Sequence, residues 1–174
     1  MDFLYRLFLA FNSTYLIVVI YLIKERYYLK FLESFDCIYL SWGLFILFPI
    51  VLTAISFIVA KMLPKDNIKS SSISEIELAN NNFLPTYLGY FFVSLSVNDI
   101  PTLFVVFSII YVFTFLSQTL YFNPIFLLFG YHFYFIKTAQ NTKIFLITKK
   151  QLKNPGSIGF ENLRRINNYT FLDL

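Results

Sequence analysis

From Cys37 to Ala60 the chain runs for 24 residues without a charged side chain. Crossing the hydrocarbon core of a bilayer takes roughly 20 apolar residues, with about 17 as the lower limit. This run is rich in Ile, Leu and Phe, carries Tyr39 and Trp42 near one end, and is followed by Lys61 and Lys65. Such a segment predicts a membrane span. Composition agrees, since 57% of the 174 residues are apolar and only 14% charged, against about 25% charged in soluble domains. An ordinary water-soluble globule is excluded. The 23 Phe and 13 Tyr supply rings suited to lipid contact and to the bilayer interface. The single cysteine, Cys37, rules out an intramolecular disulfide and any multi-cysteine metal site.

Three further segments read as spans, giving four in all: 7–23, 37–60, 80–97 and 101–122. The first is closed abruptly by Lys24, Glu25 and Arg26, and no small-residue cleavage site follows it, so it predicts an anchor and not a signal peptide. The third is short and contains Pro85, Gly89, Ser94 and Ser96, with Pro85 suited to a first helical turn. After Asn98 and Asp99 the fourth opens with Pro101 near its start and stops at the breaker Asn123-Pro124, so that the two form a hairpin. Basic residues near spans are retained in the cytoplasm. With both termini inside, 11 of the 14 Lys and Arg residues fall on the inner side, and only Lys24, Arg26 and Lys30 lie outside. The prediction is a multi-pass membrane protein with both termini in the cytoplasm.

Between the second and third spans, 64–82 is polar and flanked by breakers. Ser72 and Glu75 have the spacing of a capping box, which predicts a short helix. Ile73, Ile76 and Leu78 would set its apolar edge against the inner leaflet or a neighbouring subunit, and a solvated connector is the plainer alternative. Beyond Pro124 the long apolar runs give way to short segments separated by turn residues and lysines. The pattern predicts strands: Tyr131, Phe133 and Phe135 on one face, His132, Tyr134 and Ile136 on the other, a turn over 138–142, then Ile144 to Thr148. Asn154-Pro155-Gly156 marks another turn, followed by a strand or helix through Ile158 and Phe160 and a last strand through Tyr169 and Phe171. The competing reading bends the fourth span into a helix over 125–136. The expected fold is thus an all-α membrane domain over 1–123 with a small β-rich cytoplasmic appendage over 124–174.

Catalysis needs positioned acids, bases, nucleophiles or a metal, and the chain offers little of these. The sole histidine, His132, is expected to be a packed or interfacial ring, and no phosphate loop or nucleophile elbow is present. The reading is a non-enzyme without cofactor or metal. No predicted span holds an ionisable residue, which disfavours a coupled transporter. Asn12, Ser13, Thr14, Ser94, Ser96, Ser117, Gln118 and Thr119 would either line a pore in an oligomer or hydrogen-bond packed helices to one another. From Lys137 onward seven basic residues face only Glu161 and Asp173. That tail is a topological signal drawn to anionic lipid, or a docking platform for a cytoplasmic partner. It contains no nucleic-acid motif, so direct binding of DNA or RNA is not expected.

The stretches Asn123-Pro124-x-Phe126-Leu127-Leu128-x-Gly130-Tyr131-x-Phe133-Tyr134, Lys143 to Thr148 and Arg165-Ile166-Asn167-Asn168-Tyr169, preceded by four spans, resemble KwaA, the membrane-subunit family of the bacterial Kiwa anti-phage system. That resemblance implies a homo-oligomeric, tetrameric sensor of phage infection in the bacterial inner membrane that holds KwaB, a soluble DNA-binding effector, on its cytoplasmic side. It assigns no active-site residue. The residues expected to dock such a partner are Lys149, Lys150, Lys153, Arg164 and Arg165. The rival reading is a pore-forming or holin-like membrane effector.

Overall fold

The computed structural model describes residues 2–35, 38–68, 73–117, 123–154 and 159–174. Cys37, Lys69, Ser72, Gln118, Thr119, the end of the fourth expected span, Pro155-Gly156 and Ile158 lie outside the described residues. The chain opens with helices α1 (Asp2–Thr14) and α2 (Leu16–Lys24), followed by a 3-10 segment at Lys30–Phe35 and α3 (Ile38–Ala60). Strands β1 (Lys65–Ile68) and β2 (Ile73–Leu78) precede helices α4 (Leu84–Ser96), α5 (Ile100–Ser117) and the short α6 (Ile125–Leu128). Four strands complete the chain: β3 (His132–Thr138), β4 (Lys143–Thr148), β5 (Phe160–Arg165) and β6 (Thr170–Asp173).

Three helical stretches among the described residues are long and apolar enough to cross a membrane: Phe3–Lys24, Ile38–Ala60 and Ile100–Ser117. The first takes in both α1 and α2, because Tyr15 keeps helical dihedrals and its N–H still bonds to the Phe11 carbonyl. The third expected span differs. It is present as α4, but 13 residues at 1.5 Å each make about 20 Å, short of the roughly 30 Å hydrocarbon core. Hydrogen bonds hold α4 beside α2, from Ser94 Oγ to the Ile17 carbonyl (3.0 Å) and from Lys24 Nζ to the Val97 carbonyl (2.6 Å).

The polar residues inside the helices divide: Ser96 and Ser117 are exposed and bond to the Phe92 and Thr114 carbonyls of their own helices, while four others face inward. Asn12, Ser13, Thr14 and Ser94 are buried. Ser13 Oγ lies 3.2 Å from the Tyr87 hydroxyl, which itself donates to the Ser13 carbonyl at 3.1 Å. Asn12 Nδ2 donates to Thr53 Oγ1 at 2.8 Å, and the Thr53 hydroxyl passes its own proton to the Pro49 carbonyl at 2.8 Å.

Asp99, just before α5, receives both the Thr102 backbone N–H and the Thr102 hydroxyl at 2.8 Å. These bonds hold its carboxyl below the ordinary pKa. A carboxyl whose folded-state pKa is depressed stabilises the fold above its unfolded-state pKa, and that contribution fades as pH falls through the folded value. Asp99→Ala is therefore expected to lower the thermal midpoint more at neutral pH than once the carboxyl is protonated. Paired melting curves check this, and an equal loss at both pH values rejects a charge-dependent cap.

The correction to the sequence reading concerns 64–82. Glu75 lies in β2, not in a capped helix, and β1 and β2 form the two outer strands of a six-stranded sheet ordered β1-β5-β6-β4-β3-β2. The sheet is thus not confined to 124–174. All its pairs are antiparallel except β4 with β6, so β1 and β2 run in the same sense at opposite edges. A flat sheet of this width would separate its outer strands by about 24 Å. Only five Cα steps join Ile68 to Ile73, and they reach at most about 18 Å. The sheet must curl. Ile68 and Ile73, from the two edges, accordingly pack on one cluster with Tyr134, Ile136, Leu146 and Phe160. The register shifts at both edges, through an extra residue in β2 between Ile73 and Glu75 and one in β5 opposite Asp66 and Ile68, and such irregularity discourages pairing with another chain.

The opposite face of the sheet is buried against the helices. Phe133, Phe145, Ile147 and Leu172 share a core with Tyr5, Leu9 and Ala60. Tyr131, Phe133 and Phe135 do lie on this face, and Tyr134 and Ile136 on the other, as the alternation predicted. The join runs through rings: Phe57 of α3 stacks on Tyr131 at 4.5 Å and meets Phe126 edge-on at 5.0 Å, and Phe133 stacks on Phe145 at 5.7 Å. Gly130, with φ +76, ends α6 and turns the chain into β3, a conformation that costs glycine little. The helical alternative for 125–136 therefore holds only over α6.

Candidate docking site on the sheet

Lys149 and Lys150 follow β4, where the parallel neighbour β6 brings the chain end beside them. Together with Gly159, Asn162, Asp173 and Leu174 they line an open cavity of about 610 Å³. Lys150 Nζ lies 3.4 Å from the Asp173 carboxylate and 4.8 Å over the Phe160 ring. Asp173 is held in turn by the Thr148 hydroxyl at 2.7 Å. Lys149 Nζ sits 4.9 Å over the ring of Tyr131, whose phenol is pushed above its usual pKa by burial and by the Asp173 charge. A ring face attracts a cation and fixes its position without cancelling its charge.

The other three expected residues lie outside that cavity's lining. Arg164 is half-buried, and its guanidinium donates to the Leu63 carbonyl at 2.9 Å, tying β5 to the end of α3. Its neighbour Arg165 is exposed, with its backbone N–H on the Pro64 carbonyl at 3.0 Å. Lys153 is exposed, and among the described residues neither it nor Arg165 enters an ion pair. The charges available to a partner are therefore those of Lys149, Lys153 and Arg165, whereas Lys150 is largely matched by Asp173 and Arg164 is a fastening. Asp173 was counted in the sequence only as an offset to the basic tail; its place beside Lys150 follows from the parallel β4–β6 pair, which no local signal announces.

His132 is a packed ring: its Nδ1 lies 3.0 Å from Asn80 Nδ2, and Asn80 Oδ1 accepts the Phe133 N–H at 2.8 Å. Among the described residues no group of three His, Cys, Asp or Glu side chains gathers to hold a metal.

Helices apolar enough to cross a bilayer, sharing one core with a curled six-stranded sheet, define a small mixed protein whose helical part carries a folded sheet. The model of one family, anti-phage protein KwaA, matches residues 5–172. The chain belongs to that family and so to anti-phage defence. No curated protein and no solved structure matches it.

Proposed function

We propose that the chain is a multi-pass, homo-oligomeric sensor subunit of the bacterial inner membrane, with its sheet in the cytoplasm. It detects phage infection and holds a cytoplasmic DNA-binding effector of the KwaB kind, without chemistry of its own. The observation that supports this reading most is the shared core. Tyr5 and Leu9 of α1 and Ala60 of α3 pack in one cluster with Phe133, Phe145 and Leu172 of the sheet. A close-packed core transmits a shift of one helix as a discrete rearrangement of its partners. Infection that disturbs helix packing would thereby bias the sheet between arrangements of different affinity for the effector.

The test reverses the available charges. Lys149→Glu, Lys153→Glu and Arg165→Glu combined should abolish co-purification of the effector while the chain stays in the membrane fraction; unchanged co-purification rejects the docking role. Lys150 and Arg164 stay intact in this variant, because their loss would disturb Asp173 and the Leu63 carbonyl. Expressed without a partner, the chain should leave membrane potential unchanged. Collapse of the potential would favour the pore-forming reading.

A further inference from the structure

We propose that the groove between α1 and the end of α3 is a site for one anionic phospholipid, with an acyl chain in the groove and the phosphate held by Lys61 and Lys65. The inference rests on the membrane placement argued above. The groove encloses about 260 Å³, and Leu4, Tyr5 and Phe8 face Ile55, Val59 and Met62 across it. Its lining is almost wholly apolar. Leu4 and Met62 are 69% and 63% exposed, so one side of the groove is open.

Apolar lining alone selects no lipid, since acyl tails are as apolar as the side chains they touch. Selectivity comes from what surrounds the elbow where α3 ends. The N–H groups of Lys61, Met62 and Leu63 bond back to the carbonyls of Ile58, Val59 and Ala60, a tight turn that carries Lys61 beside the groove-lining Met62. Two residues beyond Leu63 the chain enters β1, where Lys65 stands directly opposite Arg164 of β5. Like charges directly opposite one another in a sheet repel, and here Arg164 is also fixed in place by its bond to the Leu63 carbonyl. Among the described residues neither Lys61 nor Lys65 enters an ion pair. Lys61, next in sequence to the groove-lining Met62, and Lys65, set opposite the fixed charge of Arg164, are complementary to a phosphate that carries an acyl chain.

The test uses the full chain in mild detergent, titrated with dioleoyl phosphatidylglycerol or dioleoyl phosphatidylcholine, with bound lipid counted by native mass spectrometry. Basic residues near an anionic lipid surface favour it enough that two lysines predict a preference for phosphatidylglycerol of about thirtyfold. It should shrink as salt rises. Lys61→Gln with Lys65→Gln should bring the preference close to one, the corresponding arginine pair should restore it, and Val59→Trp should displace both lipids by filling the groove. Equal retention of the two lipids by the unaltered chain overturns the proposal, as does a preference that survives the glutamine pair. If a second copy fills the groove, Met62→Cys in a Cys37→Ser background will cross-link chain to chain and exclude lipid, which also overturns it. A chain that washes out of the membrane fraction in carbonate, yet keeps the preference for phosphatidylglycerol in detergent, would refute the multi-pass reading and leave this site standing.

Discussion

Phe126→Ala should lower the stability of the detergent-solubilised chain by about 3–5 kcal/mol, the range for removing a buried ring. Phe126 is 1% exposed. Its ring meets Phe57 of α3, Tyr131 and Phe133 at centroid distances of 5.0, 6.1 and 6.1 Å. Truncation leaves a cavity bounded by the helices on one side and the sheet on the other, so neither layer can collapse into it without moving as a body. Hydrogen exchange read residue by residue separates this from a local effect. Faster exchange is expected both in β3 and at the end of α3. Loss of protection in β3 alone, or a change below about 1 kcal/mol, would mean that the two layers are stabilised separately.

Thr53→Val is expected to produce the next largest loss. The two side chains have nearly the same shape, so little packing changes, but the oxygen that joins three segments is removed. Thr53 Oγ1 accepts Asn12 Nδ2 at 2.8 Å and Asn123 Nδ2 at 3.2 Å, and it donates to the Pro49 carbonyl at 2.8 Å. Asn12 and Asn123 are 0% and 2% exposed, so water cannot replace the lost acceptor. Each buried donor left unpaired costs about 1–3 kcal/mol, which places the combined loss near 2 kcal/mol or above. Thr53→Ser keeps the hydroxyl and should lose much less. Chemical denaturation of both variants checks the pair, and equal destabilisation would show that the methyl group and not the oxygen matters.

The long uncharged runs were legible because nothing but a helix satisfies their backbone in an apolar setting, and α3 matches the expected 37–60 closely. Strands β3 and β4 were legible because alternation survives in them. β2 was not, and the bulge is the reason. Strict alternation would place Ile73 and Ile76 on opposite faces, but the extra residue between Ile73 and Glu75 brings both onto one cluster. Spacing of three is what a helix edge shows, and Ser72 with Glu75 completed the imitation. Glu75 instead pairs with Lys137 across the strands at 3.8 Å, and Glu77 with Lys143 at 3.2 Å. The same effect blurs β5, where Phe160 and Leu163 lie three apart but face one cluster, because three residues there span two of β1. The basic tail could be counted from composition. Which of its charges are already engaged could not, since Arg164 reaches Leu63 and Lys150 reaches Asp173 only through long-range pairing.

The position of β1 and β2 between α3 and α4 sets the order of events at the ribosome. These strands emerge before α4 and α5, yet their hydrogen-bonding neighbours, β5 and β3, are made only after those helices. Until then the stretch from Lys65 to Leu78 has no sheet to join. Loop closure over such separations is slow, and strand segments that wait are prone to pairing with the wrong chain. Alternating glutamates in β2, at Glu75 and Glu77, keep the waiting segment charged until Lys137 and Lys143 arrive to neutralise it.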